Sequence, residues 1–541
     1  MALELPVPTK DHRARNAPGL LSLPSEIISS ICSLLCFHCR VDCAVSATWD
    51  AALRAYSDQV ALAYLSRCSK RLRDIAQPIL FHWYHDLEDG DHLRQERQLE
   101  NFVDTIIRNP HLAASVRALA FYQPEIKRPG PTYAQVRDSR VYEVEKIFRP
   151  TIEALGPGHL ARRAAALRPA CFFELRDLAI ASTPKLAQLL LHEVPDGRED
   201  GQYNWTSWSY ALSSLTSLAF PGVRSTSGDS WEEVTIHIHE AKQLLRQTTN
   251  LETLIFPDSG GGGPMAAVNR VIDEPWDVPF PKLKTLSING IAVPLLGQIL
   301  AHCPQLEDLE YEETPHDYDD ADWTILDPSQ HLAHLRPTLR RFCYSVSFNS
   351  DHYDEDNSGA LRFYGSRYDA LHRRDDPGFA ACPSGLDLAE FPVLEDLAID
   401  QILLYGPVFA PTFSYVPTRG YCRRETAPEC FLAKLPRSLR RLHVAGIIYW
   451  PAMYRDLLAL LGEVERFPRL ERIVLQVYAP PEGADEEEGW DLVDRFWEAR
   501  GVEVMIWEAA GYPQAHSRGV LPPRPGWTET WIRPPLFGRD L

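Results

Sequence analysis

A short pattern, apolar-x-x-apolar-x-apolar, recurs ten times between residues 116 and 475. The copies are Val116/Leu119/Phe121, Leu175/Leu178/Ile180, Leu215/Leu218/Phe220, Leu251/Leu254/Phe256 and Leu283/Leu286/Ile288. Then come Leu306/Leu309/Tyr311, Leu339/Phe342/Tyr344, Leu394/Leu397/Ile399, Leu439/Leu442/Val444 and Leu470/Ile473/Leu475. The last two apolar residues of each copy alternate as a half-buried strand requires. Helix-like stretches precede several copies, at Ala241 to Thr248, Pro294 to His302 and Met453 to Arg466. A strand-helix unit of this size cannot bury its own apolar face, whereas stacked neighbours can bury it continuously. The expectation is an α/β chain in which one strand per unit stacks on the next.

Phrases such as Cys303-Pro304-Gln305-Leu306-Glu307-Asp308-Leu309 and Phe467-Pro468-Arg469-Leu470-Glu471-Arg472-Ile473 resemble the helix-to-strand return of leucine-rich repeats. The resemblance implies an irregular leucine-rich-repeat solenoid over residues 83–505. Copy starts run from 23 residues apart (Leu283 to Leu306) to 59 (Val116 to Leu175), so many units carry long insertions. The segment from Asn109-Pro110-His111-Leu112 to Leu119 is similar to the first repeat of many fungal F-box proteins.

A different pattern opens the chain. Leu23-Pro24-Ser25-Glu26-Ile27-Ile28 is followed by Ile31, Leu34 and Leu35. Pro24 suits the first position of a helix, where its missing N–H costs nothing. Glu26 falls in the first turn, where the helix dipole favours negative charge. Ile27, Ile28, Ile31, Leu34 and Leu35 share one apolar face. A second helix is expected over Gln59 to Gln77, with Asp58 as N-cap and Pro78 as the stop.

The opening helix, together with the run from Ala63 to Phe81 that contains Leu72-Arg73-Asp74-Ile75-Ala76-Gln77-Pro78-Ile79-Leu80, resembles the F-box of fungal proteins. The resemblance covers about residues 20–82, interrupted by an insertion at Arg40 to Ser57. It implies a short all-helical module that docks on a Skp-family adaptor and, through it, a cullin. The implied adaptor contacts are Leu23, Pro24, Ile27, Ile28, Leu65 and Leu72.

The resulting expectation is a non-catalytic substrate-recognition subunit of an SCF-type cullin–RING ubiquitin ligase, acting in the cytoplasm or nucleus. The repeat domain would hold a protein substrate through the outward residues of its strands. These are small and neutral early in the array, as at Asp177/Ala179, Ser217/Ala219 and Thr253/Ile255. They alternate in charge later, giving Asp308, Glu310, Glu312, Arg341, Asp396, Asp400, Arg441, His443 and Arg472 as candidate substrate contacts. An ordinary solvated strand face remains the competing reading. The alternative function is an interaction scaffold without a ubiquitin role, its F-box-like helices serving as a terminal cap. Residues 1–19 are expected to be a disordered tail, and 506–541, rich in proline, a closing cap or tail.

Composition narrows the classes further. A chain of 541 residues with net charge −19 is long enough for several cores and is unsuited as a whole to nucleic acid. No apolar run spans a bilayer and no secretory leader opens the chain, so no membrane partner is expected. Eleven cysteines without a regular framework point to reduced thiols. Acidic stretches at Glu310 to Asp322, Asp351 to Phe363 and Ala484 to Trp490 suit either mobile loops or a basic substrate segment.

No cofactor is expected and no catalytic motif stands out. Cys32, Cys36, Cys39 and Cys43, with His38, suggest a zinc cluster. They also fall at helical spacing, where cysteine is a small core residue, and no second pair of ligands is evident. The expectation is therefore no metal. His237-x-His239, in an alternating stretch, reads as surface histidines. Asp354-x-Asp356-x-Ser358-Gly359 lacks the closing glutamate of a calcium loop, since Gly365 stands there. Gly260 to Gly263 reads as a linker, lacking the lysine of a phosphate cradle.

Overall fold

The computed structural model describes residues 20–40, 49–85, 92–122, 171–192, 212–220, 238–256, 275–289, 291, 293–313, 329–346, 386–405, 431–447, 450–477 and 495–508. The chain divides into two compact units, Met1–Gln188 and Leu189–Leu541. The expected boundary at 82/83 falls inside the first unit, which holds the opening helices and the first strands.

The first unit begins with α1 (Ser25–Leu34), α2 (Phe37–Arg40), α3 (Trp49–Cys68) and α4 (Lys70–Leu80). Pro24 is the N-cap of α1, one position before the expected site. Its carbonyl accepts the first helical bond from the Ile28 N–H, at 3.2 Å. The helix expected from Gln59 to Gln77 proves to be two. One starts at Trp49, inside the supposed insertion, and stops at Cys68. The other is re-initiated by Ser69, whose hydroxyl accepts from the Leu72 N–H at 3.1 Å, a new N-cap. Pro78 does not stop this helix but lies in its last turn. Ile28, Cys32, Cys36, Leu62, Leu72, Ala76 and Ile79 form a buried cluster between these helices.

The first unit continues with β1 (Trp83–His85), α5 (His92–Arg108), α6 (Pro110–Ala113), β2 (Ala118–Tyr122) and α7 (Cys171–Ala181). β1 and β2 pair in parallel, Trp83 opposite Ala118. α7 corrects the expected second copy. Leu175, Leu178 and Ile180 are buried on a helix, so Asp177 and Ala179 are not strand residues.

The copy in that interval lies at Leu186/Leu189/Leu191, in β3 (Gln188–His192), which opens at the unit boundary. A spacing of three then two satisfies a helix face as well as a strand entry. What distinguishes the true strand is Thr183-Pro184-Lys185-Leu186, the same Pro-x-Leu return seen before Leu306 and Leu470.

The second unit holds β4 (Ser217–Ala219), α8 (Ile238–Leu245), β5 (Thr253–Phe256), β6 (Thr285–Asn289), α9 (Val293–Leu300), β7 (Asp308–Glu313) and α10 (Ser329–Leu332). It continues with β8 (Arg341–Val346), β9 (Asp396–Asp400), α11 (Gln401–Tyr405), β10 (Arg441–Ile447), α12 (Trp450–Gly462), β11 (Arg472–Val477) and β12 (Glu503–Glu508). Strand order is chain order in both units, and every pairing from β4 to β12 is parallel. The chain is thus α/β, with parallel strands and intervening helices. β12 crosses the expected 505/506 boundary, and the remainder of the expected tail lies outside the described residues. So do the proposed N-terminal tail, Cys43, the glycine run, the calcium-loop mimic and almost all of the acidic stretches. Ile238 opens a helix, so the alternating strand expected around His237 and His239 does not extend past it.

Each copy buries its apolar residues on one side. Leu254, Leu286, Leu309, Phe342, Leu397, Leu442 and Ile473 stand in register across β5 to β11 and are all essentially inaccessible to solvent. A second apolar row, from Phe256 through Ile288, Tyr311, Tyr344, Ile399 and Val444 to Leu475, lies two residues on. Burying a side chain of this size contributes about 2 kcal/mol, so these two rows are a main source of stability. Among the described residues no helix is long and apolar enough to cross a membrane.

Candidate functional site

Two surfaces carry the residues singled out by the sequence. The first is the exposed side of α1. Ile28 and Leu72 face inward, 1% and 4% exposed, and serve the helices' own core rather than a free surface. Leu23 and Leu65 pack against that core and are partly covered. Pro24 and Ile27 are exposed, and the exposed apolar surface continues through Leu20, Leu21 and Leu34, the last 65% accessible.

The turn leading into α1 is clamped from α4. The Arg71 guanidinium donates to the carbonyls of Leu21 and Leu23, the latter at 2.6 Å, and to Ser25 Oγ at 3.4 Å. Leu20 and Leu21 were not chosen from the sequence, because they precede the periodic run. Their signal is the Leu20-Leu21 pair itself, which lies in a single 3-10 turn just before α1.

The second surface is the open side of β5 to β12. Strand register places Asp308, Arg341, Asp396, Arg441, Arg472 and Glu503 in one row. Parallel strands lie about 4.8 Å apart, so opposite charges in adjacent strands meet directly. Arg341 pairs with Asp308, Arg441 makes a two-pronged contact with Asp396, and Arg472 Nε donates to Glu503 at 2.6 Å.

One residue earlier, a second row reads Glu252, Lys284, Glu307, Arg340, Glu395, Arg440 and Glu471, strictly alternating in sign. Its contacts include Lys284–Glu252 at 2.8 Å, Arg340–Glu395 at 3.5 Å and Arg440–Glu471 at 2.9 Å. The carbonyls of the same residues accept paired N–H groups from the next copy. Lys284 O, for example, accepts from Glu307 N at 2.8 Å and Asp308 N at 2.9 Å.

The remaining candidates flank these rows. Glu310 lies mid-strand on β7, opposite Cys343 of β8, and Glu312 is opposite Ser345. His443 stands between Ala398 and Val474. Burial drives its imidazole down to about 4, so it is neutral near neutral pH. Asp400 closes β9 opposite Ala445. For Asp308, burial raises the carboxyl above its ordinary range and outweighs the pull of Arg341.

The expected row of charges is therefore real in register, but its members are committed largely to one another. A partner would meet a surface close to neutral with fixed local polarity, not a strongly charged strip. No known protein family matches the chain, and no curated protein is significantly similar to it.

Proposed function

We propose that the chain is a substrate-recognition subunit of an SCF-type ubiquitin ligase. In this reading α1 docks on a Skp-family adaptor, and the parallel-strand unit, a leucine-rich-repeat-like solenoid, holds a protein substrate. The chain makes and breaks no bond itself. It raises the effective concentration of a substrate lysine near the ubiquitin-charged enzyme, in the cytoplasm or nucleus.

The observation that carries the reading is the apolar strip of Leu20, Leu21, Pro24, Ile27 and Leu34, exposed beside a helical cluster that has a buried core of its own. A few such anchors dominate the affinity of an interface. The sequence resemblance over residues 20–82 gives the strip its partner.

The test is a pull-down of the full chain with purified Skp-type adaptor, sized by light scattering. A one-to-one complex is expected. Ile27→Glu with Leu34→Glu, both at exposed positions, should abolish it and leave the circular dichroism spectrum unchanged. A folded chain that binds no adaptor sinks the reading.

A second reading has its own support. Gln59 Nε2 donates to the Trp83 carbonyl at 2.8 Å, and the Phe37 and Trp83 rings lie 4.7 Å apart. The helices thus cover the outer strand of their unit, as the terminal cap of an interaction scaffold would. Failure to bind adaptor would leave this reading standing.

A further inference from the structure

The turn after α1, the short helix α2 and the turn leaving α4 bring together Cys36, His38, Cys39 and His82. Each offers one donor atom, and the four atoms lie within 4.8 Å of one another. Cys39 Sγ is 3.4 Å from His82 Nδ1 and 3.7 Å from His38 Nδ1. In tetrahedral zinc with two thiolates and two imidazoles, the usual bond lengths place neighbouring donors about 3.6 Å apart. We propose that Cys36, His38, Cys39 and His82 form a structural zinc site that fastens α2 to the strand entry at His82.

The donors are held by local backbone structure before any ion arrives. Cys36 N donates to Ser33 O and Cys39 N to Cys36 O, both at 3.1 Å, which fixes the three clustered ligands on one tight turn. His82 is fixed from three sides. Its N–H donates to Ile79 O at 3.1 Å, and its carbonyl accepts from Arg117 N at 2.8 Å and Ala118 N at 2.9 Å. Ligands supported on rigid elements in this way bind metal without a large ordering cost.

The chemistry selects the ion. Two sulfurs and two ring nitrogens suit zinc and exclude hard cations, which take oxygen. Binding displaces one proton from each thiol, and the two thiolates cancel the charge of the divalent ion. The neighbouring guanidinium of Arg40 is occupied by Asp58 at 2.5 Å and does not compete for the thiolates. Cys36 lies just past the end of α1 and in the helical core as well, whereas Cys32, one turn earlier in the same core, is not among the four clustered donors. The fourth donor, 43 residues beyond Cys39, is what the sequence spacing does not reveal.

The competing accounts are plain packing with an S–H···N hydrogen bond, and a disulfide between Cys36 and Cys39. The experiment uses the full chain purified under reducing conditions, with zinc measured by atomic emission. One zinc per chain is expected. Cys39→Ser and His82→Gln should each lose it, while Cys68→Ser, an exposed thiol outside the group, should keep it.

Cobalt(II) added to the metal-stripped chain reads the ligand set without any substitution. Thiolate-to-cobalt charge transfer and the intense visible bands of tetrahedral cobalt are expected, both abolished by an equivalent of zinc. A reduced chain that carries no zinc and shows only the weak octahedral cobalt spectrum overturns the proposal. Full zinc occupancy in Cys39→Ser, or a persistent Cys36–Cys39 disulfide, overturns it equally. None of these outcomes depends on adaptor binding.

Discussion

Asp456 is fully buried on α12, and its carboxylate gathers three donors from different segments. Tyr405 Oη donates at 3.0 Å from α11, Phe431 N at 3.2 Å, and Arg455 Nε at 2.6 Å. Asp456→Ala takes the carboxylate acceptor away from two buried donors, and the expected loss is about 3 kcal/mol, measured by denaturant unfolding. Gly501 is a different kind of single-residue dependence. It ends the helical residues 495–500 in the left-handed region, φ 66°, its N–H donating to Trp497 O at 2.7 Å. A Cβ there meets no atom within 4 Å. Gly501→Ala should therefore cost only the backbone term, about 1 kcal/mol, and Gly501→Asn less, as thermal melting would show.

At the scale of elements, the Leu-x-x-Leu entries unite two roles, because the two middle residues supply both the strand's turn hydrogen bonds and its lateral ion pairs. Exposed pairs of this sort are worth at most about 1 kcal/mol each. Arg340 stands between Glu307 and Glu395, so Arg340→Glu both removes attraction and adds repulsion on two sides. The expected cost is about 2 kcal/mol at low salt, shrinking as salt rises, with chemical denaturation as the readout.

Much of this was legible beforehand. Nine of the ten copies are strands, and the helices before β5, β7 and β11 fall within a few residues of their expected places. The copy at Leu175 failed because its spacing fits either periodicity. β1 was missed because Phe81 and Tyr84, its equivalents of Val116 and Leu119, are followed by Asp86 in place of the last apolar residue, and β12 because Gly501 stands where the leading leucine would. The exposed part of α1 was visible only as an apolar face. Which side of it turned outward depended on α4, and the split at Ser69 that sets α4 in place is a capping event, not a periodicity.

For the molecule as a whole, acid is the most revealing perturbation. His85 is buried in β1 against the Trp83 ring, centroids 4.1 Å apart, and among the described residues neither of its ring nitrogens has a hydrogen-bond partner. Burial lowers its pKa from 6.5 to about 4. The unfolded chain binds this proton more readily, so the stability from a neutral His85 is complete above about pH 6.5 and is lost as pH falls through about 4. The loss from this residue should reach about 3 kcal/mol, and His85→Phe should flatten the fall in melting temperature over that window.

The row from Glu252 to Glu471, unlike its neighbour, in which Arg441 and Arg472 are adjacent, also imposes a parity rule on the architecture. With signs alternating from Glu252 to Glu471, the strands divide into two interleaved sublattices, one acidic and one basic. Deleting or duplicating one interior copy would set carboxylate beside carboxylate, or guanidinium beside guanidinium, at the new junction. Removing or adding two would restore the alternation. In this row the array can change length by even steps without electrostatic penalty, and by odd steps only with a fault.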